Sequence, residues 1–344
     1  MRAAVLETYH EPLAIRDVPE PPCPRDGVVL DVLACGICRS DWHGWVGEHP
    51  RVKPGQIGGH EYCGTVVEAG PDATFAVGDT LVAPFILACG TCPECRSGHQ
   101  STCLDQRLPG FLEPGAFAER VAVPRDHNLA RLPEGMAPPL AAALGCRVTT
   151  AWHALTGPAA LRGGEWLAVH GTGGVGLAAA LLGRALGARV VVVDVVQAKL
   201  DHALALGVDA AVLAGERTAE AVREATGGGA HVSVEALGIP ATVNASLRCL
   251  RPRGRHVQVG MPVGHTARME VDMSAVYAGN LALFGTRGMP SWRYPSLFAL
   301  MSGGHVDLSP LVAREVALSA VSGELALFDG PAPPGVAVVT AFDR

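Results

Sequence analysis

No run of basic residues occurs anywhere in these 344 residues, and the formal net charge is -6. That leaves a polyanion nothing to grip, which argues against nucleic acid and anionic membrane surfaces as partners and leaves small molecules. Long apolar runs are missing as well: even 166–196 is broken by Gly, His, Arg and Asp, so no bilayer span is expected. Glu7 comes too early for the apolar core of a secretory signal, and a cytoplasmic protein is expected. There are no internal repeats or low-complexity segments. In a reducing compartment the ten cysteines read as metal ligands, reactive thiols or core residues before disulfides.

What is present is a chain 49% hydrophobic and long enough for two domains. Residues 1–147 carry short β-prone runs, at 27–33 and 64–69, punctuated by Gly and Pro; they predict an irregular or barrel-like β domain. Residues 148–286 alternate between strand and helix patterns. Strands are predicted at 166–170, 189–194, 211–213, 231–235, 255–259 and 281–284, with helices between them at 174–186, 198–206, 219–225 and 241–250. The 189–194 run is apolar throughout, as in a parallel strand buried on both faces. The α/β fold class follows, with a doubly wound parallel sheet. The segment 287–344 holds a helix around 294–302, a Pro-rich loop near 331–334 and a strand at 336–340. It is too short for its own core and must dock on another domain.

Gly171-Thr172-Gly173-Gly174-Val175-Gly176 is a Gly-x-Gly-x-x-Gly, a weak signal alone in a chain with 42 glycines. Here it follows a predicted strand and opens a predicted helix, so its backbone can approach a pyrophosphate at the helix N-terminus. The next strand ends in Asp194, where a carboxylate would accept hydrogen bonds from adenosine ribose hydroxyls and repel a 2′-phosphate. NAD is expected over NADP. Taken by itself, Asp194 also suits a helix cap.

Cys89, Cys92, Cys95 and Cys103 lie in one short polar loop and can close a tetrahedral zinc with no vacancy, a structural site. His99 lies in the same loop and is expected at its surface. Upstream, residues 34–61 offer Cys35, Cys38, Asp41, His43, His60 and Glu61 between apolar segments, which is metal-site chemistry; Cys146 is a further soft donor far downstream. Spacing does not single out a ligand set, and Cys35 with Cys38 also reads as a redox pair.

The run Cys38-Arg39-Ser40-Asp41-Trp42-His43, the Gly59-His60-Glu61 element, the four-cysteine lobe, Cys146 and residues 171–176 together resemble the zinc-dependent medium-chain alcohol dehydrogenases, in order and spacing and over nearly the whole chain. The resemblance implies a GroES-like β-rich catalytic domain, a Rossmann coenzyme domain and two Zn²⁺ per chain. It implies Cys38, His60 and Cys146 as catalytic zinc ligands, with Cys35 a buried apolar residue. Asp41 would orient the ligand imidazole, and Glu61 would stand behind the metal as a transient ligand. Arg39 is implied at the cofactor pyrophosphate and Lys199 near the adenosine ribose; Val259 and Gly260 also belong to the cofactor set. Phe85, Met261 and Trp45 are implied as substrate-pocket lining, with core packing their ordinary alternative. The family's C-terminal basic residue facing the cofactor is absent, since residues 335–339 contain no Arg.

The implied activity is reversible NAD-linked oxidation of a primary or secondary alcohol to aldehyde or ketone. Zinc lowers the alcohol pKa, and the alkoxide is the better hydride donor. Ser40 and His43 resemble the family's proton relay. Three alternatives are a polyol or amino-alcohol dehydrogenase, the zinc-free quinone reductase branch, and an NAD-binding zinc protein without turnover that acts as a sensor. Complete ligand sets and an intact Ser40 and His43 weigh against the last two, and Cys146 against the first. A homodimer or homotetramer is the family's usual assembly.

Overall fold

The structure is a computed structural model that describes residues 1–330 and 332–342; Pro331 of the Pro-rich stretch and Asp343 and Arg344 of the C-terminal segment lie outside the described residues. The chain divides into two compact units. One comprises residues 1–149, 288–302 and 309–344, the other residues 150–287 and 303–308.

The first unit is built on the strand Val28–Gly36, whose residues are buried on both faces apart from the half-buried Asp31 and Leu33. One edge pairs antiparallel with Glu61–Ala69 over its whole length. The other edge is divided between Arg120–Val123 near the start of the strand and Val336–Ala341 near its end. Thr80–Val82 and Ala130–Arg131 extend the sheet beyond Glu61–Ala69, and Val312–Ala317 runs parallel to Val336–Ala341. The register sets Gly36 opposite Glu61. Residues just after the first strand therefore meet residues just before the second, although some twenty positions separate them in sequence.

Two elements of the C-terminal segment were not visible in the sequence pattern: the strand Val312–Ala317 and the helix Val321–Ala326. The strand carries Arg314 and Glu315 at its centre, and the helix is too short to show a 3.6-residue period. Leu318, Val321 and Leu325 nonetheless bury themselves in the core of this unit beside Leu6, Val32 and Phe117.

The second unit holds a six-stranded, all-parallel sheet in the spatial order Ala210–Leu213, Arg189–Asp194, Trp166–His170, Ala230–Glu235, Leu250–Gln258, Ala282–Gly285. Numbered along the chain this order is 3-2-1-4-5-6, with the switch point beside the first strand, the arrangement that binds dinucleotides outside the carboxyl ends of the strands. Val190, Val191, Val192 and Val193 are fully enclosed. The strand Leu250–Gln258 starts earlier than the sequence pattern indicated, because Pro252 and Gly254 obscure it. Among the described residues no helix is long and apolar enough to cross a membrane.

Candidate active site

The helix Arg39–Trp45 begins directly after the Val28–Gly36 strand, with Cys38 as its N-cap. Asp41, in its first turn, accepts a hydrogen bond from the Cys38 amide at 2.9 Å through Oδ2. Its other oxygen accepts from the Gly59 amide at 3.2 Å and from His60 Nδ1 at 2.9 Å. One buried carboxylate thus ties both arms of the pair together. Gly59 has a φ of +88°, and a Cβ there would lie 2.6 Å from the Phe117 amide nitrogen, so only glycine turns the chain into His60.

Cys146 arrives from the other direction, just beyond the helix Pro138–Ala143. Gly145 lets it approach, since a Cβ at Gly145 would be 3.0 Å from Glu61 Cα. The donor atoms of Cys38, His60, Glu61 and Cys146 all lie within 4.8 Å of one another. Cys35 stays apart: it is wholly buried in the core, and burial holds its thiol well above the ordinary range.

The groups of this cluster are electrostatically coupled. Cys146 first and then His60, both beside it, hold the Cys38 thiol well below its usual range against burial, while Cys38 and burial push Cys146 well above it. The pair therefore ionises once and resists a second ionisation. Burial opposes charge on His60, but Asp41 outweighs it and raises the imidazole. With Nδ1 committed to Asp41, Nε2 is a buried nitrogen without a hydrogen-bond partner among the described residues. Such an orphan is costly in a protein interior and natural in a metal ligand, whose other ring nitrogen is commonly held by a carboxylate. Two thiols, an orphaned imidazole and a clustered geometry fit zinc.

Arg147, adjacent to Cys146, was missed by the sequence reasoning. It is buried, donates from Nε to Glu61 Oε1 at 3.1 Å and from Nη2 to the Ile37 carbonyl at 3.0 Å, and sets Nη2 2.6 Å from Glu61 Oε2. Burial pushes the Glu61 carboxyl up, against the pull of this guanidinium. A signal existed: Arg147 is a lone charge at the end of an Ala- and Leu-rich run, and such a residue is seldom buried unless paired. A Cβ at Gly36 would come 2.7 Å from Glu61 Oε2, so that glycine is needed to seat the carboxylate.

The remaining residues of this unit fall into three places. Ser40 and His43 lie on the Arg39–Trp45 helix three positions apart, hence on one face. His43 Nδ1 is 2.7 Å from Glu48 Oε2. Arg39 donates to the Phe328 carbonyl at 3.1 Å and packs 4.5 Å from the Trp42 ring centroid. The Phe85 ring centroid is 5.9 Å from that of His60, beside the cluster. Trp45 is in the core, its indole donating to the Glu11 carbonyl at 2.6 Å.

In the cysteine lobe the sulfurs of Cys92 and Cys95 are 3.4 Å apart; Cys89 to Cys95 and Cys92 to Cys103 are each 3.9 Å. A tetrahedron with about 2.3 Å Zn–S bonds has edges of about 3.8 Å. Backbone amides point at the sulfurs: Thr91 and Cys92 donate to Cys89 at 3.4 and 3.3 Å, and Cys89 and Asp105 to Cys103 at 3.2 and 3.4 Å. Hydrogen bonds led by the Thr91 hydroxyl bring the Cys89 thiol down to about 5. His99 is exposed and outside the cluster.

In the second unit the turn of residues 171–176 leads from the strand Trp166–His170 into the helix Gly174–Ala185. A Cβ at Gly176 would lie 1.8 Å from the Gly171 carbonyl oxygen, so this glycine is a packing requirement. A Cβ at Gly173 would meet nothing within 4 Å among the described residues, so packing does not explain glycine there. Gly173 is also the N-cap, makes no side-chain cap, and leaves the first-turn amides at an open cradle. Asp194 holds the turn, its Oδ2 accepting from the Thr172 amide at 2.8 Å and hydroxyl at 2.7 Å, and its Oδ1 from Val196 at 3.1 Å. Lys199 is half-buried in the first turn of the helix Gln197–Ala205. The Val259 and Gly260 amides both donate to the Glu235 carbonyl, at 2.9 and 2.8 Å, and Met261 follows, half-buried.

Comparison with known proteins agrees with this geometry. The family model described as Alcohol dehydrogenase GroES-like domain matches residues 24–134, and the one described as Zinc-binding dehydrogenase matches residues 174–303. An alcohol dehydrogenase of Geobacillus stearothermophilus is 34% identical over 267 residues, 76% of this chain and 78% of that protein. L-threonine 3-dehydrogenase of Saccharopolyspora erythraea is 33% identical over 91% of this chain and 92% of its own length. The solved structure of alcohol dehydrogenase TADH from Thermus sp. ATN1 superposes with a TM-score of 0.92 at 29% identity, covering 99% of this chain and all of that one. Fold, domain matches and relatives spanning both units converge: the chain is an oxidoreductase and belongs to the zinc-dependent medium-chain dehydrogenase/reductase family.

Proposed function

We propose that the protein catalyses the reversible NAD-linked oxidation of a primary or secondary alcohol to an aldehyde or ketone. The observation that carries this reading is the orphaned His60 Nε2, aimed into a cluster with Cys38 and Cys146 while Asp41 occupies Nδ1. Zinc held by Cys38, His60 and Cys146 would supply Lewis acidity toward the substrate oxygen, and NAD the hydride acceptor. A second zinc would be held by Cys89, Cys92, Cys95 and Cys103 in a structural role.

The chain's own groups then have separable tasks. Asp41 fixes the His60 tautomer and so orients the ligand. Arg147 retains Glu61 at the edge of the donor set. Ser40 and His43 carry the released proton away from the substrate. Phe85 supplies an apolar wall beside His60, and Met261 and Trp45 remain the other substrate-pocket candidates. Gly171, Gly173, Gly174, Val175 and Gly176 present backbone to a pyrophosphate, Arg39 is its side-chain partner, and Val259 and Gly260 flank the cofactor. Asp194 and Lys199 recognise the adenosine ribose. Three of the lone pairs on Asp194 are already engaged, which leaves room for one ribose hydroxyl. NAD selectivity is tested by Asp194→Ser: the preference for NAD over NADP should fall, and an unchanged ratio removes Asp194 from the ribose.

The deciding experiment is a panel of alcohols, aldehydes and ketones followed by reduced-nicotinamide absorbance, on protein whose zinc has been counted. About two ions per chain and turnover with simple alcohols are expected. One ion, or none, contradicts the two-site reading. A second reading, a polyol or amino-alcohol dehydrogenase, has the threonine dehydrogenase relative in its favour; preference for L-threonine in the same panel would select it. A homodimer or homotetramer is supported by the edge strand Ala282–Gly285, where Leu283 and Phe284 are exposed. A monomer in sedimentation would remove that proposal.

A further inference from the structure

The chain reverses sharply at the end of the helix Arg39–Trp45. Val46 caps it, and Gly47, at φ +83°, sends Glu48 back along the last turn. A Cβ at Gly47 would stand 3.1 Å from the Tyr9 ring, so the reversal is held by packing as well as by backbone conformation. It is closed by the His49 amide donating to the His43 carbonyl at 2.9 Å. The result is a 2.7 Å contact between His43 Nδ1 and Glu48 Oε2. The imidazole is largely enclosed, with 13% of its side-chain surface accessible, whereas Glu48 is 38% accessible. The enclosed ring therefore reaches solvent through a carboxylate.

Resting on the reading of Ser40 and His43 as the proton-release path, we propose that Glu48 is a positioning residue and the outer station of that path. Nδ1–H donates to Glu48, which fixes the tautomer and leaves Nε2 as the acceptor. When Nε2 takes a proton, the Nδ1 proton passes to Glu48 Oε2, and the carboxyl releases it to water. Bonds balance: one N–H forms as the other breaks, and one O–H forms and then breaks; Glu48 returns to its starting carboxylate, and the imidazole, left as the Nε2–H tautomer, returns to the Nδ1–H form by exchanging one proton for another with water.

Burial and three groups bear on the imidazole. Burial depresses it, Glu48 raises it, Arg39 depresses it and Cys38 raises it. His49 stands near as well but is held down at about 4, first by burial and then by Arg51, so it is neutral at working pH. Among the described residues Glu48 is the one of these groups hydrogen-bonded to the imidazole itself.

The test is Glu48→Gln, with Glu48→Asp as the conservative control, read in two ways. In NMR the His43 C2–H resonance, assigned by its loss in His43→Ala, should titrate at lower pH in Glu48→Gln, since a neutral amide no longer stabilises imidazolium. In kinetics, the acid limb of alcohol oxidation should move to lower pH, and the plateau should fall about tenfold, less than the roughly 10²–10⁴ of a whole general base. Glu48→Asp should restore both, and Glu48→Gln should add nothing in a His43→Ala background. An unmoved His43 titration in Glu48→Gln overturns the proposal. So does an unmoved acid limb where His43→Ala does alter the profile, which leaves the relay itself standing. If His43→Ala leaves the profile untouched, the relay reading fails and the proposal with it.

Discussion

At the scale of single residues, the site is organised by two buried carboxylates with opposite duties. Asp41 gathers the Cys38 amide, the Gly59 amide and His60 Nδ1, three donors from two chain segments. Glu61 instead is gripped by Arg147. Removing one member of a buried ion pair strands the other, at a cost of about 3–5 kcal/mol, while replacing both by apolar residues of similar size is far milder. We expect Arg147→Met to lower the urea unfolding free energy by about that amount and Arg147→Met with Glu61→Leu to recover most of it; equal losses in both variants would show that the pair does not act as a unit. The sequence made Cys38, His60 and Cys146 legible only through the pattern of a whole family, because no local period links them. It left Arg147 and Glu48 unread for a simpler reason. His43 and Glu48 are five positions apart, which is no helical spacing, and only the turn at Gly47 brings them together.

At the scale of elements, the turn of residues 171–176 shows how one motif combines different requirements. Gly176 is glycine because the Gly171 carbonyl is in the way, and Gly173 is glycine without any such neighbour. The two substitutions should therefore part company. Gly176→Ala should destabilise the second unit, measured by thermal unfolding, and weaken dinucleotide binding as a consequence. Gly173→Ala should leave the melting temperature nearly unchanged yet raise the NAD dissociation constant at least about tenfold in calorimetry, if a pyrophosphate occupies that cradle. Unchanged affinity in Gly173→Ala would move the phosphate elsewhere. The alternation of strands and helices in this unit was legible where strands are apolar runs, as at Arg189–Asp194, and helices long enough to show their period; the polar start of Leu250–Gln258 and the seven-residue helix Met273–Gly279 were not. Val312–Ala317 and Val321–Ala326 were not, being short, charged at the centre or held by partners distant in sequence.

At the scale of the whole molecule, acid tolerance and metal assembly are set by groups far apart in the chain. In the second unit, burial and then His256 hold the His170 imidazole down to about 3, and burial holds His256 down to about 4. Both are depressed below an unfolded value of about 6.5, so in that window the unfolded chain binds protons that the native state refuses. Their contribution is complete above about pH 6.5 and is lost as pH falls toward 4 and 3. Urea midpoints should drop across this range, and His170→Leu should flatten the slope; an identical slope would acquit His170. The cysteine lobe differs from the Cys38 cluster in one respect that matters during biosynthesis. Its candidate ligands span 14 positions, a loop that closes at small entropic cost. Cys38 waits for Cys146, which emerges from the ribosome only after the lobe is already complete. If both sites take zinc as proposed, the first ion captured in zinc-starved cells would go to the lobe, and a half-metallated species lacking the Cys38 ion would accumulate.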